Sequence, residues 1–340
     1  MQKFIKKIIE GQDLSLEEAQ DAMRMIIRGE ATQAQIGSYI SALRMKGESI
    51  EEITASARVL RECCARLAVR GDIMDIVGTG GDCTNTFNVS TVSSFVVAAS
   101  GIRVAKHGNR SVSSKCGSAD LLEALGVVLD ILPEQNQRVL EEVGMCFMFA
   151  PTYHSAMKRV AGPRKELGFR TLFNILGPLS SPAYANLQVL GVYDESLVEP
   201  MAQVLSNLGL KHAMVVHGHD GVDEVSLTTS TTVCEVRGEN INSFFIHPKM
   251  LGLNTCALKD LAGGDAKANK EIALDILNGK KGPKRDMVLI NSALSLYTAS
   301  SNSTLRQCVK LAEEIIDSGK ALEKLKHFVE ATQLCASLKD

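Results

Sequence analysis

Three short segments of this chain gather residue types able to hold a phosphorylated, anionic ligand. The first is Gly78-Thr79-Gly80-Gly81-Asp82, followed by Cys83-Thr84-Asn85-Thr86-Phe87 and Asn88-Val89-Ser90-Thr91. It comes after the apolar run Ile73-Met74-Asp75-Ile76-Val77 and before a helical stretch over 92–100. Strand, glycine turn and helix start form the layout that holds phosphate on backbone N–H groups. Ser90 and Thr91 stand where N-caps belong, so their hydroxyls can join an anion site. Two familiar phosphate loops fail here: G-x-G-x-x-G needs glycine where Cys83 stands, and no G-x-x-x-x-G-K-[ST] occurs. Taken alone, the segment also fits an ordinary tight strand–helix turn.

The second segment is Lys106-His107-Gly108-Asn109-Arg110-Ser111-Val112-Ser113-Ser114-Lys115, running on to Ser118. Cations and hydroxyls crowded at the end of an apolar strand suit a polyanion; a solvated surface is the plainer reading. The third is His217-Gly218-His219-Asp220-Gly221-Val222-Asp223-Glu224. Adjacent carboxylates at a strand end are the oxygen donors Mg²⁺ uses beside a phosphorylated substrate, though an acidic surface turn looks the same. No third ligand supports zinc at its two histidines.

The elements that must position these segments follow from pattern. Three capping signatures, Ser15 to Glu18, Thr32 to Gln35 and Ser49 to Glu52, open helices in the first 65 or so residues. Ile36, Ile40 and Leu43, then Ile50, Ile53, Ala57 and Leu60, recur at helical spacing. Gly29 and Gly47 stand at helix stops. Beyond Gly71, short apolar runs at 73–77, 102–105, 146–150, 187–192, 213–217, 232–236 and 287–290 read as strands with helices between. That alternation predicts an α/β class with a central, mostly parallel sheet, preceded by a small α-helical domain.

The chain has 340 residues, enough for one large α/β domain with an appendage. Its 37 basic and 39 acidic residues, with 4% aromatics and no Trp, argue against a nucleic-acid partner. Nine scattered Cys with no C-x-x-C pair read as free thiols in a reducing compartment. Lys6 and Lys7 fall where a signal peptide needs apolar residues, and no apolar run approaches a membrane span. The expectation is a cytoplasmic enzyme with no membrane partner.

In combination, the segments resemble the anthranilate phosphoribosyltransferases. The resemblance rests on Gly78 to Asp82, Asn88 to Thr91, Lys106 to Arg110 with Ser113-Ser114, and Asp220 to Glu224. Ala150-Pro151-Thr152-Tyr153-His154, Arg164 to Gly168, Arg170-Thr171-Leu172-Phe173-Asn174 and Leu176-Gly177-Pro178-Leu179 agree with it. It covers nearly the whole chain. It implies a fold shared with pyrimidine nucleoside phosphorylases: a helical domain, 1–65 with a returning segment around 164–182, and an α/β domain, 70–340, that binds 5-phosphoribosyl 1-diphosphate (PRPP). It implies transfer of phosphoribosyl from PRPP to anthranilate with Mg²⁺, the second step of tryptophan biosynthesis, by a homodimer formed through the helical domain.

The roles that the resemblance implies are specific. Gly78, Gly81, Asp82 and Thr86 would contact PRPP, and Asn88, Val89, Ser90 and Thr91 would hold its phosphate. Residues from Lys106 through His107, Gly108, Asn109, Arg110, Ser111, Val112 and Ser113 to Ser114, with Ser118, would bind diphosphate and ribose. Ser90, Asp223 and Glu224 would ligate Mg²⁺. Gly78, Asn109, His154 and Arg164 would contact anthranilate, with Lys106, His107 and Arg164 closest to the chemistry. Cys83 and Cys116 stand where glycine and serine are expected. A nucleoside phosphorylase and a non-catalytic nucleic-acid-binding paralogue are the competing readings.

Overall fold

The computed structural model describes residues 1–111, 115–300 and 302–337. Its first part is helical, as expected: α1 (Gln2–Ile9), α2 (Leu16–Arg28), α3 (Gln33–Lys46) and α4 (Ile50–Cys63). All three capping boxes form. Ser15, Thr32 and Ser49 accept from the N–H of Glu18, Gln35 and Glu52, whose side chains accept in return from the capping residues. Each box satisfies donors that a helix start leaves open. Gly29, at φ +79°, ends α2 in the left-handed conformation.

The alternating part follows: β1 (Met74–Gly78), α5 (Val89–Ala99), β2 (Val104–Gly108), α6 (Ser118–Ala124), α7 (Pro133–Val143) and β3 (Met145–Phe149). Then come α8 (Ala150–Tyr153), α9 (Lys158–Leu167), α10 (Phe173–Leu179), β4 (Leu187–Gly191), α11 (Val198–Asn207) and β5 (His212–Gly218). β6 (Thr231–Arg237), β7 (Asn240–Ile246), α12 (Ala266–Leu277), α13 (Pro283–Ala299), α14 (Leu305–Asp317) and α15 (Lys320–Ser337) complete it. Among the described residues the strands form one sheet, ordered β3-β2-β1-β4-β5-β6-β7. β3 through β5 pair in parallel; β6 and β7 are antiparallel.

One strand expectation needs correction, and one strand was not expected. Residues 287–290 are helix, inside α13, whose side chains from Met287 to Leu296 are buried without a break. A helix covered on all sides loses its period and looks like a buried strand; Pro283 at its first turn was the usable cue. β7 is an edge strand with mostly exposed residues, and polar Asn240, Asn242 and Ser243 interrupt its apolar ones. Gly238, at φ +59°, opens the two-residue hairpin that makes it.

Alternate strand residues feed two cores. Met74, Ile76, Val104, Leu187, Val189, Met214 and Val216 pack with residues of α5, α13, α14 and α15. Leu190, Ala213, Val215, Cys234 and Val236 pack with α11 and with Ile36, Ile40, Leu43 and Ile53 of the opening helices. Val160, Leu172, Phe173, Ile175, Leu176 and Leu179 join that second core. No described helix is long and apolar enough to cross a membrane.

The strand order reverses between β1 and β4, and in such sheets ligands lie beyond the carboxyl ends at that point.

Candidate active site

Gly78 and Gly191 face each other in register at the carboxyl ends of β1 and β4. The acidic loop after β5 lies over both. A Cβ on Gly78 would stand 2.3 Å from Asp223 Oδ2, and one on Gly191 would stand 1.6 Å from the Asp223 backbone oxygen. Glycine at both positions lets the loop settle on the strand ends. The Gly80 amide donates to Asp223 Oδ2 (2.8 Å), and the Ser90 amide donates to Glu224 Oε1 (3.1 Å). Lys106 Nζ donates to Ser90 Oγ (3.2 Å) and to the Ile76 carbonyl. The glycine loop, the start of α5, the basic strand end and the acidic pair thus meet in one cluster.

The β1–β2 ladder prepares that meeting. Its recorded register is Met74 against Val104. Farther along, side chains bridge the strands: Lys106 reaches the Ile76 carbonyl, and Asp75 Oδ1 accepts from the His107 amide (3.1 Å). Asp75 is fully buried, and burial pushes its carboxyl up to about 7 against the opposing pull of Lys106. Sequence reading assigned Asp75 no role beyond an apolar run.

The electrostatics favour a cation. Burial, reinforced by the Asp82 charge, holds the Asp223 carboxyl above the usual carboxylate range; burial and then Asp223 do the same for Glu224. Burial lowers the proton affinity of Lys106, which Asp75, Glu224 and Asp223 oppose. Two buried carboxylates whose charge Lys106 only partly offsets, beside a serine hydroxyl, fit Mg²⁺, which takes one or two carboxylates and completes its shell with substrate phosphates and water. Among the described residues no group of three His, Cys, Asp or Glu side chains is arranged to ligate a metal.

The helix start differs from expectation in one respect. Asn88 is the N-cap of α5, and Ser90 and Thr91 lie inside its first turn. The Val89 amide donates back to Phe87 O (2.7 Å), with Asn88 at φ −71°, ψ 71°: an inverse γ-turn. That turn shifts the cap by two positions. Val89 itself is buried in the core. Asn88 Oδ1 and Thr91 Oγ1 are buried without a hydrogen-bond partner among the described residues, groups that a ligand can complete. Asp82 accepts from the Thr84 hydroxyl, and Thr86 bridges to Ala262.

The structure does not bring Arg110 to the cluster. It pairs with Asp120 (3.2 Å) and Glu123 (2.8 Å) of α6, which hold it firmly protonated. Asp120 also accepts from the amides of Ser111 (3.0 Å) and Gly117 (2.8 Å), and so shapes this loop. Asn109 Oδ1 accepts from the Arg110 amide (2.7 Å), and Ser118 Oγ donates to Asn109 O (3.3 Å). A Cβ on Gly108 would stand 2.3 Å from Ser118 Oγ. Val112, Ser113 and Ser114 lie outside the described residues.

His107 and His154 pair their rings, centroids 5.1 Å apart. Burial pushes His107 down to about 3 and His154 down to about 4, so both are neutral at pH 7. The Nε2 of each is buried without a partner among the described residues. A histidine depressed in the folded state contributes no penalty above its unfolded value near 6.5. Below that, only the unfolded chain takes the proton, so stability falls as the pH drops. His107→Gln removes that penalty: relative to wild type, the variant gains about 1.4 kcal/mol per pH unit below about 6.5, read from denaturant unfolding at pH 7.5 and 5.5.

Arg164, on α9, is half-buried, 5.8 Å from the Phe173 ring centroid. Burial lowers its proton affinity, with no carboxylate among the described residues offsetting it. Among the described residues its side chain makes no hydrogen bond with the cluster. Farther along the same segment, Arg170 donates to the Gly81 carbonyl; sequence reading gave this residue no role.

Comparison with known proteins agrees with this geometry. A glycosyl transferase family model for the helical bundle domain matches residues 2–64, and one for the a/b domain matches residues 70–322. The anthranilate phosphoribosyltransferase of Ruminiclostridium cellulolyticum is 62% identical over 330 residues, 97% of each chain. The crystal structure of the Thermus thermophilus enzyme superposes with a TM-score of 0.92 at 42% identity, covering 97% of this chain and 99% of that one. The Saccharomyces cerevisiae enzyme in complex with PRPP and Mg superposes with a TM-score of 0.90 at 30% identity over 97% of each chain. Another structure of the yeast enzyme, in complex with 4-fluoroanthranilate, gives 0.88 at 29% identity, again over 97% of each chain. With this fold, this site and these relatives, the chain belongs to the anthranilate phosphoribosyltransferases of the glycosyl transferase family.

Proposed function

We infer that the chain transfers the 5-phosphoribosyl group of PRPP to the amine of anthranilate and releases diphosphate. The observation that carries this is the convergence of the glycine loop, the α5 start, Lys106 and the Asp223–Glu224 pair at the point where the strand order reverses. Gly78, Gly81, Asp82 and Thr86 would contact PRPP. Asn88, Ser90 and Thr91 would receive a phosphate at the positive end of α5. Lys106 would face the leaving group. The residues from His107 to Ser114, with Ser118, would bind ribose and diphosphate, with Arg110 free to act only if it leaves Asp120 and Glu123.

Ser90, Asp223 and Glu224 would hold Mg²⁺. Bound there, the ion supplies electrostatic stabilisation of the departing diphosphate. The chain's own part is mostly placement. Arg164 would clasp the anthranilate carboxylate bidentately, which its half-buried guanidinium supports. Asn109, His154 and the Gly78 backbone would line the ring. The aromatic amine is a free base at neutral pH, so orientation toward the anomeric carbon serves it better than a general base. Neutral, buried His107 and His154 suit lining and hydrogen bonding.

The test is loss of anthranilate fluorescence on adding PRPP, with and without Mg²⁺; phosphorolysis of uridine or thymidine in its place would refute the assignment. Arg164→Ala is expected to raise the anthranilate KM far more than the PRPP KM. Equal effects on both would sink that role.

We also propose a cytoplasmic homodimer formed through a helical domain of residues 1–65 and the segment around 164–182. Ile9 of α1 is 71% exposed, beside a groove of about 410 Å³ between α1 and α3. Sedimentation would decide the oligomeric state.

A further inference from the structure

Arg170 lies in the connection between α9 and α10, on the segment that also carries Arg164. One terminal nitrogen donates to the carbonyl of Gly81. The guanidinium lies over the Tyr193 ring, 4.1 Å from its centroid. The Tyr193 amide donates in turn to Thr79 Oγ1 (3.1 Å), and the Thr79 amide donates to Gly191 O (2.9 Å). Arginine, ring and threonine make a strap across the glycine loop.

The loop needs one. Cys83 (φ +60°) and Asn85 (φ +55°) both take the left-handed region, which costs a residue such as cysteine about 1–2 kcal/mol and asparagine less. A strained loop persists only where its surroundings over-determine it. Two of its anchors come from the α/β side: Gly80 to Asp223 Oδ2 (2.8 Å) and Gly263 to Asn85 O (2.9 Å). Arg170 reaches it from the other side, from a segment whose α9 packs on α2 and α3.

We infer that Arg170 is a positioning residue that couples the two substrates, holding the glycine loop in register with the segment that carries Arg164. This rests on the PRPP and anthranilate assignments above. A ligand that orders the loop favours the closed contact, and with it the placement of Arg164. Thermodynamic reciprocity requires anthranilate to favour the loop in return. A guanidinium suits the task, because its planar face stacks on Tyr193 while its edge donates to Gly81, a fixed geometry that a flexible ammonium lacks.

The experiment is calorimetric titration of the full chain with anthranilate, alone and in the presence of Mg²⁺ and diphosphate, a pair that permits no turnover. Wild type is expected to bind anthranilate at least about fivefold more tightly when diphosphate is present, the lower end of typical coupling. Arg170→Ala is expected to bring that ratio to about one while keeping the affinity for anthranilate alone. Arg170→Lys should resemble it. A ratio unchanged in Arg170→Ala, or a wild-type ratio of one, overturns the inference. A purely structural role would weaken both affinities together and leave the ratio intact, which also overturns it. Should Arg170→Ala fail to fold, Tyr193→Leu, which removes the platform and keeps the arginine, carries the same expectation. Fluorescence turnover by the same wild-type preparation separates the two claims: its absence refutes the activity, whereas turnover without coupling refutes only the strap.

Discussion

Replacing Asp223 by Asn together with Glu224 by Gln abolishes Mg²⁺-dependent turnover, with an expected fall of about a thousandfold or more, the scale of losing a preorganised electrostatic clamp. The double variant is a sharp test because it changes charge and little else. Asn keeps an oxygen for the Gly80 amide, and Gln keeps one for the Ser90 amide, so the contacts at 2.8 and 3.1 Å have acceptors still. The sign of the stability change is opposite to that of activity. Both carboxyls sit above their ordinary range in the folded protein. Such groups favour the fold most at pH below their unfolded values and work against it as pH rises through the folded ones. In chelator, the neutral variant therefore unfolds at a higher temperature than wild type at pH 8, and the difference shrinks toward pH 4. Lower stability at pH 8, or retained Mg²⁺ dependence, would contradict the acidic pair's proposed role.

Gly191→Ala is expected to be the most damaging single-methyl substitution at the site. The added Cβ would stand 1.6 Å from the Asp223 backbone oxygen, with the carbonyl carbon at 2.5 Å. Backbone cannot rotate aside as a side chain can, so the whole acidic loop must lift off β4. Overpacking of this kind costs about 1–3 kcal/mol, and a displacement of about 1 Å in a reacting constellation costs about a hundredfold in rate. Equilibrium unfolding and kcat/KM measure the two losses. Wild-type stability and activity in the alanine variant would mean that the loop is not seated on the strand ends as described.

Much of this site was legible because its parts are short and local. Glycines after an apolar run, serine and threonine at a helix start, and paired acids after a glycine each carry their chemistry in adjacent residues. Strand–helix alternation predicted a parallel sheet with these segments at strand ends, and the strand order that brings them together at β1 and β4 came from the structure. The losses came where the physics is not local. The buried helix over Met287 to Leu296 has no polar face, so nothing in its pattern distinguishes it from a strand. Arg110 stands in a basic loop, yet the turn into α6 brings Asp120 and Glu123 back onto it. Asn88 caps α5 because a γ-turn tightens the chain just before it, and no residue spacing announces such a turn. Asp75 and Arg170 act on backbone atoms of distant residues, Asp75 on the His107 amide and Arg170 on the Gly81 carbonyl, so their roles show in no local spacing.

The opening helices share a single apolar core with one face of β4, β5 and β6. A seam in the amino-acid sequence near residue 65 is therefore no seam in the interior. Removing the helices before that seam would bare the faces of α10 and α11 that pack on α4, and α11 in turn lies on β5 and β6. Gene fusions, circular permutations and trimmed expression fragments would have to respect that shared interior, and the helical bundle is better regarded as part of the folding unit than as a detachable module.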